Sequence, residues 1–591
     1  MTQRLISMIR KYASVLAPAA VLCACVAAPY LVPADPDSPV FRVGTLGALM
    51  LLFCAFPVRD ALARHSLRAL IYGCCFAFIY ALCLGVGSEM VFYNGLLPGM
   101  GSLVRRFAAP LLAVPMLGCL ISYFFECTYT GKTADRRIPW FVFFALFALS
   151  YGAALLAMFP GILNYDFEFE ILQYQSGVYE AKHPVFHSML IGFLYQLGES
   201  LFGSFTAGAA TYSVFQLLCM AGMYTFVCCF VQRRTPLWVT LLLSAGFALL
   251  PFHHVLAIST IKDALFTGLT AVICVCLWEI AEDPAAFLAC RKKQTRFAAL
   301  CLCTALLRHN AVFVFLPACM AIVCLCKNQR RHALLVCAAA ILLATGVPKL
   351  LETAVGAEKT PSSELLSIPG QQIFRTAEYA GVSEEEYADI NSWFSNATFR
   401  YRPHCADPTK GGNFDFERYQ REPEGYWNMY FKYLKRYPRI YLEAFLANCQ
   451  GLWHPDDVSH AHSLSSEEWD FVYMKSGNIV PEQAGTIEAR SYIPKLKSLI
   501  KDVAHHARHE NVPLLSHLFR PSFYVFALLL GVMLAGCRRA GRWALCTLPV
   551  WGVFISLLFS AGVIIRYAYP IMACTPVLFA LLFFCARQKK I

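Results

Sequence analysis

Pro160-Gly-Ile-Leu-Asn-Tyr-Asp-Phe-Glu-Phe-Glu170, with His183-Pro184 shortly after it, sets Asp166, Glu168 and Glu170 directly behind an apolar run that ends at Phe159. Acids at the mouth of a membrane-spanning helix do nothing for stability. Ionisable groups at membrane depth are costly, and where they persist they mark a substrate path or a reacting site. The weight of this stretch therefore rests on whether the run before it crosses a bilayer.

The chain as a whole says that it does. Its 591 residues are 58% hydrophobic and 15% charged, against about 25% charged residues in a soluble protein. Apolar runs of about 17–25 residues recur along most of the length without the alternation of a barrel strand, which predicts an all-α polytopic membrane protein. Spans are expected near 13–32, 43–58, 67–91, 107–126 and 138–159, then at 206–231, 236–252, 262–281 and 333–351, and last at 521–537, 543–564 and 567–586. The first follows Arg4, Arg10 and Lys11 and reads as an uncleaved anchor.

A net charge of +12 would suggest nucleic acid in a soluble protein. Here the basic residues gather in short loops between spans, among them Arg233/Arg234, Arg291/Lys292/Lys293/Arg296 and Arg538/Arg539/Arg542. That is the positive-inside pattern. It puts both termini in the cytoplasm and the acidic stretch outside, in a multi-pass cell-membrane protein with no nucleic-acid partner. Two segments must then be irregular. Val185–Phe202 is expected to lie at the interface, because the next span has to start outside to finish at Arg233. Phe297–Cys326 is expected to be two short helices meeting at the outer side, with Arg308-His309-Asn310 lining a cavity. The total is roughly fourteen helical passes.

From about Glu352 to Arg520 the chain turns polar, and the flanking spans place this segment outside the cell. Its cues are helical. Ser383–Glu386 and Ser465–Glu468 are capping-box patterns, Tyr426–Tyr437 and Ile440–Cys449 read as helices separated by Pro438, and Ile493, Leu496, Ile500 and Val503 form a stripe. The division is 1–137 (additional N-terminal spans), 138–351 (core, with the acidic loop at 160–184), 352–520 (outer helical domain) and 521–591 (last spans).

Most of the 26 cysteines sit in apolar runs as small hydrophobes, and Cys405 and Cys449 alone are placed to form a disulfide. His505 and His509 have zinc-pair spacing without the intervening glutamate a zincin needs, so with His506 and Glu510 they read as an exposed polar face. Trp393, Trp427, Trp453 and Trp469 read as domain core ahead of sugar-stacking surfaces. Asn396-Ala-Thr398 is a sequon of the kind that chance supplies.

An outward span, an acidic loop, an interfacial helix opening with His-Pro, short-helix hairpins, an outer domain and a last pair of spans joined at Arg566-Tyr-Ala-Tyr-Pro570 follow one another in order. This order resembles the GT-C superfamily of glycosyltransferases, whose relatives include protein O-mannosyltransferases and lipid A aminoarabinose transferases. The resemblance covers about Ile138 to Ala586. Pro160-Gly-Ile…Asp166, His183-Pro184, Lys262-Asp263, Arg308-His-Asn310 and Arg566-Tyr567 are also similar to an uncharacterised bacterial branch of it. So are Ile368-Pro-Gly-Gln-Gln372, Ala406-Asp-Pro-Thr-Lys410 and Gly451-Leu-Trp-His-Pro455 in the outer domain.

The resemblance implies a GT-C-like bundle that transfers a sugar from a polyprenyl-phosphate donor to a glycan, lipid or protein of the cell envelope. It makes Asp166 the general base, with Glu168 and Glu170 as acidic partners. The pattern Asp-Phe-Glu-Phe-Glu departs from the family's commoner Asp-Glu. Burial among neighbouring acids is expected to raise the Asp166 pKa. Arg566, Arg308 and Lys262 would bind the donor phosphate, with His183, His187, Asp263 and Tyr567 shaping the site; read from the residues alone, Asp263 instead simply neutralises the adjacent Lys262. No metal ligand set is assigned, although some members use a divalent cation and others none. The competing reading is a transporter or flippase of lipid-linked glycans, which would place polar residues near the midplane and show internal repeats.

Overall fold

The computed structural model describes residues 2–31, 45–64, 66–127, 137–359, 366–394, 401–406, 409, 414–457, 487–505 and 515–585. Among these the chain is helical, with no strand and only isolated bridges. Eight helices are long and apolar enough to cross a membrane, or ten if each of two bent pairs is one span. The protein is an all-α polytopic membrane protein.

That number falls short of the roughly fourteen passes expected. The other four fall on Thr45–Arg64, Arg291–Leu307, Val312–Leu325 and Pro521–Cys537. Pro521–Cys537 has 17 residues, which at about 1.5 Å each reach ~25 Å, less than a hydrocarbon core about 30 Å thick. Arg291–Leu307 spends its first turns on four basic residues. It meets Val312–Leu325 through a single turn at His309–Ala311, which is the expected pair of short helices. Val185–Phe202 is one helix, outside the set of candidate spans.

Lys262–Glu282 and Ile565–Cys585 are the most enclosed spans, with 83% and 72% of their apolar windows buried, whereas the Lys327–Ala354 span has 17% buried. The first two therefore form the axis of the bundle, and any charge at their ends is held by protein.

The basic loops collect at one end. Arg234 pairs with Glu282, Lys293 with Glu279, and Arg538 donates to the Phe583 and Cys127 carbonyls. The acidic stretch and the polar segment meet at the other end, where the Arg490 amide donates to the Phe159 carbonyl and Glu358 pairs with Tyr179 and Ala181.

The polar segment has its own small core of Phe374, Tyr426, Met429, Tyr433 and Tyr441, supplied by Ser367–Tyr379, Pro423–Arg436 and Pro438–Asn448, with Trp393 from the turn after Glu384–Asn391. The Ser383–Glu386 capping box is formed. Trp393 is core, while Trp427 and Trp453 are partly buried against core clusters. Ile493, Leu496, Ile500 and Val503 pack as a stripe on the main bundle core. Cys405 and Cys449 are both thiols, so the disulfide is not made. The sequon at Asn396, the Ser465–Glu468 pattern, Trp469, His506, His509 and Glu510 lie outside the described residues.

Candidate active site

A short parallel pairing of backbone positions the acids. The Ile162 amide donates to the Ile258 carbonyl, the Thr260 amide to the Ile162 carbonyl, and the Asn164 amide to Thr260 Oγ1. Gln216, buried in the Phe205–Val231 span, donates its amide to the Leu256, Ala257 and Ser259 carbonyls and holds the second segment of this pairing. Gly161 makes the approach at φ +128°, where a Cβ would stand 2.1 Å from Ser213 Oγ and 2.8 Å from the Ile258 carbonyl. No other residue fits there.

Both paired segments run into helices, so two helix N-termini lie side by side. Asn164 caps Tyr165–Ser176 by accepting from the Asp166 amide. Ser259–Ile261 leads into Lys262–Glu282. Asp166 and Asp263 thus sit in first turns, where the helix dipole favours a carboxylate.

The helix turns Asp166 and Glu170 to one face and half-buried Glu168 to another. Arg566, in the first turn of Ile565–Cys585, bridges the two helices: Nη2 donates to Asp166 Oδ2 at 2.8 Å and Nε to Asp263 Oδ2 at 2.8 Å. Arg308, at the tip of the short-helix pair, donates to the other oxygen of Asp263. Lys262 Nζ lies 3.6 Å from Asp166 and 3.4 Å from Glu170, and donates to His183 Nδ1 at 2.8 Å. His187 joins Glu170 to the Tyr212 hydroxyl at 2.8 Å on each side, and Tyr212 donates to Gln216. Tyr567 lies beneath both arginines, its ring centroid 5.3 Å from each guanidinium carbon.

Three acids (Asp166, Glu170, Asp263) thus face three cations (Lys262, Arg308, Arg566), and all but Arg308 are buried. These six charges come from four parts of the chain. Buried ions are tolerated only when paired and hydrogen-bonded, and every member of this network is.

The geometry corrects two expectations. Asp263 does not neutralise Lys262; its ion pairs go to the two arginines, and Lys262 is held by Asp166 and Glu170. Nor is the Asp166 pKa raised. Burial alone would raise it, but Lys262 and Arg566 beside it hold the carboxyl well below the usual range. Burial is likewise outweighed at Glu170, where His187 and Lys262 bring the carboxyl down to about 2. The neighbouring acids are a weaker influence than the cations between them. Burial, with Lys262 next, pushes the His183 imidazole down to about 4.

Arg308 turns into the network while His309 and Asn310 are exposed. Among the described residues no group of three or more His, Cys, Asp or Glu is arranged to hold a metal ion.

Asn164, Thr260, Tyr212 and Gln216 were not singled out in the sequence. For the last two a signal existed: Tyr212 and Gln216 are polar residues four apart inside a 27-residue apolar span, a placement lipid would penalise. Beyond them lies an apolar cavity of about 790 Å³ whose lining includes Leu242, Leu249, Phe519, Tyr524, Met572 and Pro576. It reaches His253, whose Nδ1 pairs with the Tyr569 hydroxyl at 2.8 Å. Tyr569 is one turn below Arg566 on the same helix.

Fold and site together define a polytopic membrane protein with a buried, charge-balanced ion-pair network at the helix ends facing its polar domain. Residues 174–591 match the model of a family described as a family of unknown function (DUF6020), and the chain belongs to that family. The matched part takes in His183, His187, Lys262, Asp263, Arg308 and Arg566, and starts beyond Asp166 and Glu170. The chain matches no curated protein and no solved structure.

Proposed function

We propose that the protein is a GT-C-type inverting glycosyltransferase, drawing a sugar from a polyprenyl-phosphate donor and passing it to a cell-envelope acceptor on the outer face of the membrane. The observation that carries this reading is Arg566 spanning Asp166 and Asp263 at 2.8 Å each, with Arg308 and Lys262 on either side. A fork-shaped donor held by two carboxylates can exchange one of them for a phosphate of similar geometry.

The low basicity of Asp166 fits this exchange. Its carboxylate is held by Arg566 and Lys262; when the donor phosphate takes hydrogen bonds from those cations, burial becomes the stronger influence and the carboxylate becomes a better base. The acceptor hydroxyl oxygen then attacks the anomeric carbon and its proton passes to Asp166. The carbon–oxygen bond to the phosphate breaks, and the electron pair leaves on the phosphate oxygen, where Arg566, Arg308 and Lys262 stabilise it. Attack from the face opposite the leaving group inverts the anomeric centre.

The apolar cavity supports a lipid-borne donor. Met572 and Pro576 line it on the helix that bears Arg566, so an isoprenoid tail lying there would bring its phosphate up the same helix to the arginine. The orientation follows from the basic loops: both termini cytoplasmic, residues 352–520 extracytoplasmic.

Mass spectrometry of envelope glycans and lipid-linked sugars, with and without the gene, tests the proposal. Loss of the gene should deplete one glycan and accumulate its lipid-linked donor. Unchanged pools of both would refute it.

A further inference from the structure

The apolar cavity beside the network has a polar end. Among the described residues its wall holds no Asp, Glu, Lys or Arg, and its polar side chains are Tyr524 and His253. Tyr524 spends its hydroxyl hydrogen on the Leu518 carbonyl at 2.8 Å. His254, outside the wall, has both ring nitrogens engaged, Nδ1 with the Leu250 carbonyl at 3.1 Å and Nε2 with Ser150 Oγ at 2.7 Å. His253, 3% exposed, has one engaged. Its Nδ1 meets the Tyr569 hydroxyl at 2.8 Å, and its Nε2 has no hydrogen-bond partner among the described residues.

The partners of that ring place its hydrogen. The Tyr569 hydroxyl is 2.7 Å from the Tyr224 hydroxyl, and all three side chains are buried. Were His253 Nδ1 to donate to Tyr569, Tyr569 would donate to Tyr224, and the Tyr224 hydrogen would have no acceptor. In the opposite direction Tyr224 donates to Tyr569, Tyr569 donates to Nδ1, and every hydroxyl hydrogen is met. Nε2 therefore carries a hydrogen, and a donor in an apolar wall is costly until an acceptor meets it.

The cavity also has a direction. Leu237–Leu249 starts beside Arg234 at the basic end of the bundle and finishes at the other. The wall from Leu250 to Leu242 thus descends about 12 Å from the polar-domain end. His253 is at the top, in the first turn of Pro251–Ile258. Ile565–Cys585 repeats the order: Arg566 in the network, Tyr569 one turn on against His253, then Met572 and Pro576 in the apolar wall. Cations, one neutral donor and an apolar wall follow one another down a single helix. A phosphate, the oxygen that joins it to a chain, and the chain itself have the same order.

We infer that His253 is a lipid-binding residue: its Nε2 hydrogen goes to the phosphate oxygen nearest the chain of a polyprenyl phosphate, fixing where the head gives way to the tail. An isoprenoid chain has no oxygen of its own, so the phosphate end is the one part of that lipid able to answer the donor. The choice of a polyprenyl lipid rests on the transferase reading, whereas its binding is measured without any transfer.

The test is equilibrium lipid binding to the full chain in detergent, read by native mass spectrometry. The probes are a long-chain polyprenyl phosphate without sugar, squalene (an isoprenoid hydrocarbon with no oxygen) and phosphatidylglycerol. His253→Phe keeps the ring packing against Tyr224, Phe247, Phe252 and Tyr569 and removes the donor. It should weaken polyprenyl phosphate binding by about tenfold and leave squalene binding unchanged. His253→Gln sets an amide near the Nε2 position and should keep the phosphate lipid within about threefold of wild type. His253→Asn, whose amide stops near the Nδ1 position, should lose as much as the Phe variant. The Gln and Asn comparison holds whether or not the Phe variant folds. Phosphatidylglycerol should not compete.

Four results would each overturn the inference: no polyprenyl phosphate binding, equal loss of squalene, equal behaviour of Gln and Asn, or displacement by phosphatidylglycerol, which would assign the cavity to ordinary phospholipid. The expected binding pattern in a chain that transfers no sugar would sink the transferase reading and leave the role of His253 standing. Sugar transfer with lipid binding indifferent to position 253 would do the opposite.

Discussion

Arg566→Met removes a side chain that bonds to carboxylates on both acid-bearing helices. The wild-type network balances three acids with three cations, and the variant leaves three acids with two. Two charge-assisted bonds are lost, both at 2.8 Å and both between buried groups. At about 1.5–3 kcal/mol each, and with a buried charge left uncompensated, the cost should be about 3–5 kcal/mol. At roughly 0.8 °C per kcal/mol for a chain of 591 residues, the unfolding midpoint of the purified protein in detergent should fall by ~3 °C.

Arg566→Lys keeps the charge but cannot hold both carboxylates in one fork, so it should recover only part of the loss. The double variant Arg566→Met/Asp263→Asn restores the balance of charge and should regain most of the stability while sugar transfer stays abolished. Thermal unfolding followed by a thiol-reactive dye or by light scattering reads all three. A midpoint for Arg566→Met within about 1 °C of wild type would mean that the network carries no appreciable energy, and the reasoning from paired buried charge would fail. A double variant no better than the single one would refute the charge-balance argument specifically.

The remaining expectations can be checked independently. The His183 imidazole, lowered to about 4 by burial and Lys262, binds its proton more weakly in the folded chain than at the unfolded value near 6.5. Stability from the neutral ring is therefore full above pH ~6.5 and is lost as pH falls towards 4, by at most about 3 kcal/mol. Unfolding midpoints taken from pH 7 to 4 should show this slope, and His183→Asn should flatten it. Gly246→Phe, placed in the apolar cavity where a Cβ meets nothing within 4 Å, should raise the KM for a long-chain polyprenyl-phosphate sugar. A short-chain analogue should be affected much less. Gly161→Ala, with Ser213 Oγ and the Ile258 carbonyl in its way, should displace the acid helix. Activity should be lost and folded yield reduced, measured by membrane abundance and transfer together.

Much of this was legible because membranes impose coarse rules. The apolar runs gave the spans and the basic loops their common end, and Val185–Phe202 appeared as a single helix with the ends read from the sequence. The short-helix pair at Arg308 followed from the need to return to the same side. Asp166, Glu170, Lys262, Asp263, Arg308 and Arg566 were all named, because a charge at a helix mouth is conspicuous in an apolar chain.

Their wiring was not legible. Asp263 adjoins Lys262 in sequence, yet successive helical residues point in different directions, so neighbours along the chain made no pair. The direction of the Asp166 shift was misjudged for a related reason. Its nearest acids in sequence were visible, whereas Lys262 and Arg566 reach it only through the fold. Tyr212 and Gln216 were hidden inside a span that hydropathy reads as a whole. The expected passes exceeded the helices able to cross because apolar content alone was counted, whereas Pro521–Cys537 has only 17 residues and Arg291–Leu307 spends its first turns on basic residues.

The central claim is that Asp166 takes a proton from the acceptor hydroxyl during sugar transfer. Vesicles carrying either the wild-type protein or Asp166→Asn, matched for folded protein by thermal unfolding, can be supplied with extracted lipid-linked sugars and the envelope fraction, and the glycan product counted by mass spectrometry. The account expects Asp166→Asn to slow transfer by about 10²–10⁴-fold while the lipid-linked donor still binds. Transfer at the wild-type rate by the Asn protein would contradict it.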